Sequence, residues 1–415
     1  MNRNVIECCD CAEGLCRLGE GIADCCVTDP PYGIRFMGKA WDYEIPPVSI
    51  WREVLRVLKP GAHALVACGT RTQHRMAVNI EDAGFEVRDV ICWHYGQGFP
   101  KSMDISKAID KQAGVERRVV GMSNNTYDGA LRNPLKHKSP AESSNIGEWG
   151  LNKSPHGLPL TAPETEEAKR WAGWGTALKP ATEFWTLVRK PIDAGTVAEN
   201  VRRHGTGALN IDECRIPTQD SLGGGSEKRP TFKGKEGWDR PWMHDADGSE
   251  EQAEWVRAKV KMAEELGRYP SNLILDEFMA GEMDRQSGEL TSGKPAGIRK
   301  AVNKVYGPYA PGQPVTGYGD SGGGSRFFYV AKADPEERGA GNNHPTVKPL
   351  ALIHYLLRLI CPIEPGRCML DPFAGSGSHC IAARQLGLDY IAFERDPENV
   401  RMAGVRMREK LGLFC

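Results

Sequence analysis

Short runs of consecutive apolar residues recur along the chain, at 4–9, 23–28, 62–68, 87–93, 184–189, 367–370 and 389–394, and each stops at a polar or turn residue. A strand with one wet face alternates apolar and polar positions. Unbroken apolar runs instead predict strands buried on both faces, as in a parallel sheet covered by helices. Helical spacing lies between some of them. Residues 48–58 place apolar side chains at 50, 51, 54, 55, 57 and 58 before Lys59-Pro60-Gly61 stops the pattern. A second helix is predicted over 350–360, halted by Cys361-Pro362, and a third over 378–386, starting straight after a glycine-rich turn. Strand alternating with helix means an α/β layered sheet.

The middle of the chain differs. From about residue 96 to 341 it fills with Gly, Pro, Ser, Asn, Lys and Arg, and only 184–189 and 327–332 have strand character, with an exposed charged helix predicted over 250–266. The core is therefore expected as two halves, 1–100 and 341–415, split by an insertion over 101–340 that lends residues 184–189 to the sheet. Long irregular insertions are usually functional loops or partly disordered.

Two strand ends carry unusual chemistry. The run at 23–28 ends in Asp29-Pro30-Pro31-Tyr32, and the run at 367–370 ends in Asp371-Pro372-Phe373-Ala374-Gly375-Ser376-Gly377. Gly375 and Gly377 let backbone approach a ligand, and the following helix N-terminus adds partial positive charge. The turn is neither a G-x-G-x-x-G, because Cys380 stands where the last Gly belongs, nor a Walker loop, because it lacks Lys-Ser/Thr. Asp371 would repel a pyrophosphate and suits a cationic ligand. Glu394, ending the next strand, is placed to take two ribose hydroxyls. A cation joined to a ribose points to S-adenosyl-L-methionine.

With these residues the sequence resembles the amino-group (N6-adenine or N4-cytosine) DNA methyltransferases of the Asp-Pro-Pro-Tyr type. His344-Pro345-Thr346-Val347-Lys348-Pro349 is similar to their motif ahead of the glycine turn, and Asp10-Cys11 to the pair that opens the segment before their catalytic motif. Catalytic motif first and glycine turn last is the order of the β class. The phrases Phe99-Pro-Lys-Ser102 and Gly205-Thr-Gly-Ala-Leu-Asn210 resemble phage and prophage members. The resemblance implies a seven-stranded, mostly parallel Rossmann-like sheet, circularly permuted, in which the strands at 369–370 and 23–28 are neighbours at the switch point. It implies methyl transfer from S-adenosylmethionine to the exocyclic amine of a base flipped from double-stranded DNA. Asp29, Pro30, Pro31 and Tyr32 would be catalytic. Asp10, Cys11, Thr346, Lys348, Asp371, Phe373, Gly375, Gly377 and Glu394 would hold the cofactor, with Thr346 and Lys348 at its carboxylate end. Asp in the first motif position is typical of adenine-N6 enzymes; cytosine-N4 is the alternative. No Pro-Cys dipeptide occurs, which argues against cytosine-C5 chemistry.

Net charge is −1, with 53 Lys and Arg against 54 Asp and Glu, so any DNA surface must be local. Lys101, Arg202, Arg203, Lys233 and Arg240 are the candidate DNA contacts, set among Trp238, Trp242 and Tyr306 in the insertion. No metal site is expected. Cys8 and Cys11 form a C-x-x-C, but Cys8, Cys9, Cys25 and Cys26 sit in strand-like runs as small core hydrophobes, and no second pair follows at finger spacing. No run approaches the roughly 20 apolar residues of a membrane span, and no signal-like segment opens the chain. A cytoplasmic location in a bacterial or phage-infected cell is expected. A homodimer and a cognate restriction endonuclease are the partners such enzymes often have. RNA or glutamine methylation, and a catalytically silent DNA-binding module, are the rival readings.

Overall fold

The computed structural model describes residues 3–34, 42–96, 98, 102–122, 159–218, 254–255, 258–259, 261–262, 264–291, 321–332 and 347–411. The chain divides into two compact units, one of residues 1–95 with 182–415 and one of residues 96–181. The second unit is shorter than the insertion expected over 101–340, because residues beyond 182 return to the main sheet.

That sheet has nine strands: β1 Val5–Cys8, β2 Ala23–Thr28, β3 Leu58–Gly69, β4 Glu86–His94, β5 Thr182–Arg189, β6 Leu273–Asp276, β7 Tyr329–Ala331, β8 Cys368–Asp371 and β9 Asp389–Glu394. Their order is β1-β9-β8-β2-β3-β5-β4-β6-β7. Every neighbouring pair is parallel except the two that β5 makes with β3 and β4. The last two strands of the chain thus lie between its first two, and β8 runs beside β2 through Met369 with Cys25 and Leu370 with Cys26. The sheet exceeds the seven strands expected. β6 and β7 extend it beyond β4, and β6 spans only four residues in polar surroundings, too short a run to show in the sequence.

Two apolar clusters cover the two faces. Cys25, Val27, Leu65 and Ala67 pack into one; Cys26, Ala64, Val66 and Cys68 pack into the other. Helices α1 Cys11–Cys16, α2 Val48–Val57 and α3 Gln73–Asp82 serve the second cluster through Leu15, Trp51, Val54, Met76 and Ile80. Further along, α4 is Val197–His204, α5 is Glu277–Ser287, α6 is Leu350–Ile360, α7 is Ser378–Gln385 and α8 is Pro397–Leu411. In α6, Leu350, Leu352, Ile353, Tyr355, Leu356, Leu357, Leu359 and Ile360 are all buried, so its apolar surface faces the core. Cys25 and Cys26 are buried as expected, but Cys8 is exposed and Cys9 half-buried, because β1 is the edge strand. Among the described residues no helix is long and apolar enough to cross a membrane.

In the smaller unit, the helix Ile105–Gln112 and an antiparallel pair, Val119–Met122 with Pro159–Thr161, are joined around one buried carboxylate. Asp110 accepts the backbone N–H groups of Glu164 and Thr165 and the Thr165 hydroxyl, and pairs with Arg117 at 3.0 Å.

A buried histidine makes folding pH-sensitive. His63 on β3 is 3% exposed. Burial, with Arg189 and Arg88 nearby, lowers its pKa from 6.5 to about 4. Below pH 6.5 the unfolded chain takes up a proton that the folded chain refuses until about pH 4. Stability is therefore intact above the ordinary histidine pKa and falls as pH drops through that window, by about 3 kcal/mol in all. In urea titrations from neutral pH down to the folded-state pKa, His63→Leu should flatten that part of the decline. Parallel curves for the two proteins would refute the assignment.

Candidate active site

The C-terminal ends of β1, β9, β8 and β2 stand side by side in that order, and each delivers a carboxylate to the same rim. Asp10 follows β1, Glu394 ends β9, Asp371 ends β8 and Asp29 follows β2. Proline at positions 30 and 31 removes the N–H donors that would continue the ladder, so the chain leaves the sheet at Asp29.

The loop beyond is fastened by residues that no motif announced. Asp42, 2% exposed, accepts the backbone N–H groups of Tyr32 at 2.7 Å, Gly33 at 2.9 Å and Ile34 at 3.3 Å. The Thr72 hydroxyl donates to the Tyr32 carbonyl at 2.6 Å. Tyr32 is thereby turned back on Asp29, and its phenol donates to Asp29 Oδ1 at 2.6 Å. Lys348 Nζ lies 2.9 Å from Asp29 Oδ2, 2.9 Å from Glu183 Oε2 and 3.3 Å from the Tyr32 hydroxyl.

Glu183 reaches this rim because β5 runs against its neighbours. Its second residue pairs with Gly69 and Trp93, at the ends of β3 and β4. Lys348 precedes α6 and is 6% exposed; Glu183 is 7% exposed. Burial works against the Lys348 ammonium, but the Asp29 and Glu183 carboxylates outweigh it and raise its pKa above the ordinary lysine value. Burial raises the Glu183 pKa against the pull of Lys348, and Asp29 adds to the rise. Burial and the Asp29 charge raise the Tyr32 phenol.

On the glycine-turn side, Glu394 Oε2 accepts from Gly375 N at 2.8 Å and Oε1 from Asp396 N at 2.8 Å. The turn is held from the opposite side by Arg406 of α8. Its guanidinium, 1% exposed, donates to the Ser376 carbonyl at 2.5 Å and to the hydroxyls of Ser376 and Ser378 at 3.0 and 3.1 Å. Gly377 has φ +80°, and a Cβ there would lie 2.9 Å from the Ala403 side chain, so glycine is required. Asp371 is fully buried beneath the turn. It takes the Thr28 hydroxyl at 2.7 Å, the Phe373 N–H at 3.2 Å and His379 Nδ1 at 2.8 Å. Asp10 caps α1 through Ala12 N at 2.9 Å. Cys11 is half-buried within α1, and burial pushes its thiol up to about 12. Phe373 tilts against Trp51, ring centres 6.5 Å apart.

The sequence candidates divide accordingly. Asp29, Tyr32, Lys348, Asp371, Phe373, Gly375, Gly377, Glu394, Asp10 and Cys11 stand on or beside one rim, with Pro30 and Pro31 in its loop. Lys348, expected at a cofactor carboxylate, instead bridges Asp29 and Glu183. Arg202 and Arg203, expected on the DNA face, occupy α4 at the other end of the sheet. That helix follows the far end of β5, where Asn200 and Thr206 bond the Pro60 carbonyl at the start of β3. Arg203 is also paired with Glu199 and Asp193. Thr346, Lys101, Lys233 and Arg240 lie outside the described residues. Sequence reasoning missed Glu183, Asp42 and His379. Glu183 stands at the edge of the apolar run 184–188 and looks like its boundary, so the sequence carried no signal for it.

The chain is similar to several known proteins. YubD of Escherichia coli (strain K12), named as a methylase, is 46% identical over 56 residues, covering 13% of this chain and 24% of YubD. The type II methyltransferase M.HinfI of Haemophilus influenzae is 35% identical over 66 residues, covering 16% of this chain and 18% of M.HinfI. The matches thus span about a quarter or less of those relatives. The solved structure of TTHA0409 from Thermus thermophilus is 14% identical, covering 98% of this chain and 95% of its own, with TM-score 0.39. The N6/N4 methyltransferase profile, described as DNA methylase, matches residues 23–118 and 208–404, more than half of the chain. The chain belongs to this DNA methylase family.

Proposed function

We propose that this chain transfers a methyl group from S-adenosylmethionine to the exocyclic N6 of an adenine flipped out of double-stranded DNA. The observation that carries the reading is the Asp29 carboxylate, set beside the glycine turn on the same rim and facing two donors that an amine N–H can displace, the Tyr32 hydroxyl and the Lys348 ammonium. A carboxylate so placed is an acceptor for an amine N–H.

The residues present fit the cofactor. Glu394 and Asp10 end adjacent strands as acceptors for ribose hydroxyls and an adenine edge, and the turn at Gly375 and Gly377 brings backbone close. When bound, S-adenosylmethionine supplies a methyl group on a sulfonium sulfur. Asp371, expected to serve the cationic ligand, is instead fully buried with its oxygens taken by Thr28, the Phe373 N–H and His379, and in this reading it acts by shaping the turn. An exocyclic amine is a weak nucleophile because its lone pair is delocalised into the ring. Asp29 accepts one N–H and the Pro30 carbonyl the other, which draws the nitrogen toward sp3 and stabilises the positive charge growing on it. Tyr32 offers its ring to the extruded base. Correct alignment supplies much of the rate. Target recognition falls to the insertion, with Lys101, Lys233 and Arg240 as its proposed contacts; Arg202 and Arg203, on the far end of the sheet, are set aside.

Asp at the first motif position favours adenine. Unmethylated DNA incubated with the protein and S-adenosylmethionine, then digested and analysed by mass spectrometry, should contain N6-methyladenine. N4-methylcytosine would transfer the same chemistry to the other base. Absence of any methylated nucleoside, with cofactor binding demonstrated, would overturn the reading.

A further inference from the structure

We propose that Glu183 is a positioning residue for methyl transfer: it takes sole hold of the Lys348 ammonium when the target amine displaces that ammonium from Asp29. The inference rests on the reading of Asp29 as the acceptor for the amine.

As the site stands, Asp29 cannot polarise an amine well. One of its oxygens holds the Tyr32 phenol and the other holds the Lys348 ammonium, which cancels the charge the reaction needs. Lys348 has little water to retreat into, since it is 6% exposed. Its other anionic contact is Glu183, at the same 2.9 Å as Asp29. One ammonium between two carboxylates leaves the cluster with a single net negative charge, and that charge becomes Asp29's when the ammonium moves toward Glu183. Without Glu183 the remaining pair is neutral, and among the described residues Asp29 is the one carboxylate left to Lys348.

A second observation points the same way. Among the described residues none donates a hydrogen bond to the buried Glu183 Oε1, although Oε2 is engaged by Lys348. An unmet buried acceptor costs free energy, so it calls for a donor in another state of the site. An ammonium released from Asp29 has an N–H to give and can bridge both Glu183 oxygens. Lys348 carries three N–H donors on a flexible stem, which suits an exchange of partners within one pocket.

The test is a double-mutant cycle on the full chain with unmethylated DNA. Glu183→Gln keeps shape and removes charge. It should lower kcat about tenfold, the scale of one lost charge-assisted contact, while KM for S-adenosylmethionine and for DNA changes less than about threefold. In a Lys348→Met background the same Glu183→Gln change should alter kcat by less than about threefold, because there is no ammonium left to hold. A full tenfold loss in that background, or a change confined to KM, would overturn the proposal. So would an unchanged kcat in Glu183→Gln. If Glu183→Gln melts out, the comparison of Lys348→Met with the double variant decides alone. A wild-type protein that methylates no DNA would instead remove the functional reading beneath.

Discussion

Asp29→Ala will slow methyl transfer about a thousandfold while leaving the protein folded and able to bind S-adenosylmethionine. The expectation follows from where Asp29 sits. Its carboxylate lies just past β2, partly exposed on the rim, and supports no strand. The backbone of the loop after it is held by Asp42 and Thr72 through Tyr32, Gly33 and Ile34; among the described residues of that loop, Asp29 bonds only the Tyr32 phenol. Its loss thus removes chemistry more than structure. A preorganised polar group facing developing charge is worth about 10²–10³ in rate, and here the Lys348 ammonium, left beside the amine with only Glu183 for company, adds electrostatic opposition. Asp29→Asn keeps the shape and one acceptor oxygen and should fall between the two. Single-turnover rates with saturating cofactor and DNA measure this directly. An alanine variant within tenfold of wild type would mean that Asp29 is a strand-ending turn residue and nothing more.

How much of this could be read in the chain depends on how local each cause is. The runs predicted at 23–28 and 389–394 coincide with β2 and β9, because strands buried on both faces must be apolar at nearly every position. The helix predicted at 350–360 coincides with α6 for a similar reason, its buried surface being almost continuous. β5 begins two residues before the apolar run suggested, because Glu183 looks like a boundary in sequence. Its charge inside the sheet is met by Lys348, 165 positions away. The Asp42 clamp on the backbone N–H groups of Tyr32, Gly33 and Ile34 and the His379 bond to Asp371 likewise follow no periodic pattern. Arg202 and Arg203 show the opposite failure. Their charge was plain, but whether a helix stands at the ligand end of a sheet or the far end depends on strand direction. That was set by β5 running antiparallel, which nothing local reveals. Asp29 and Asp371 were legible as partners only because two proline-marked strand ends matched a family pattern.

Glu394→Ala will raise the dissociation constant for S-adenosylmethionine about a hundredfold. Two separate functions of one carboxylate are lost. In the reading proposed, Glu394 accepts ribose hydroxyls, and each charge-assisted bond is worth about 1.5–3 kcal/mol. In the protein itself, Oε2 holds Gly375 N and Oε1 holds Asp396 N, so the side chain also fixes the glycine turn against the end of β9. The turn keeps its other anchors, Arg406 on Ser376 and the Ala374 N–H on the Phe393 carbonyl, and the fold should survive. Glu394→Gln separates the two functions. Its amide oxygen can still accept from Gly375 N, so the turn stays in place, while the lost charge weakens the ribose bonds; about a tenfold rise is expected. Isothermal titration of both variants gives the two steps. Once S-adenosylmethionine is saturating, kcat should return to near the wild-type value in Glu394→Gln, because this residue binds cofactor and does not face the amine. A kcat loss that saturation cannot restore would place Glu394 in the chemistry at Asp29 instead, and an unchanged affinity in both variants would leave it as a turn anchor alone.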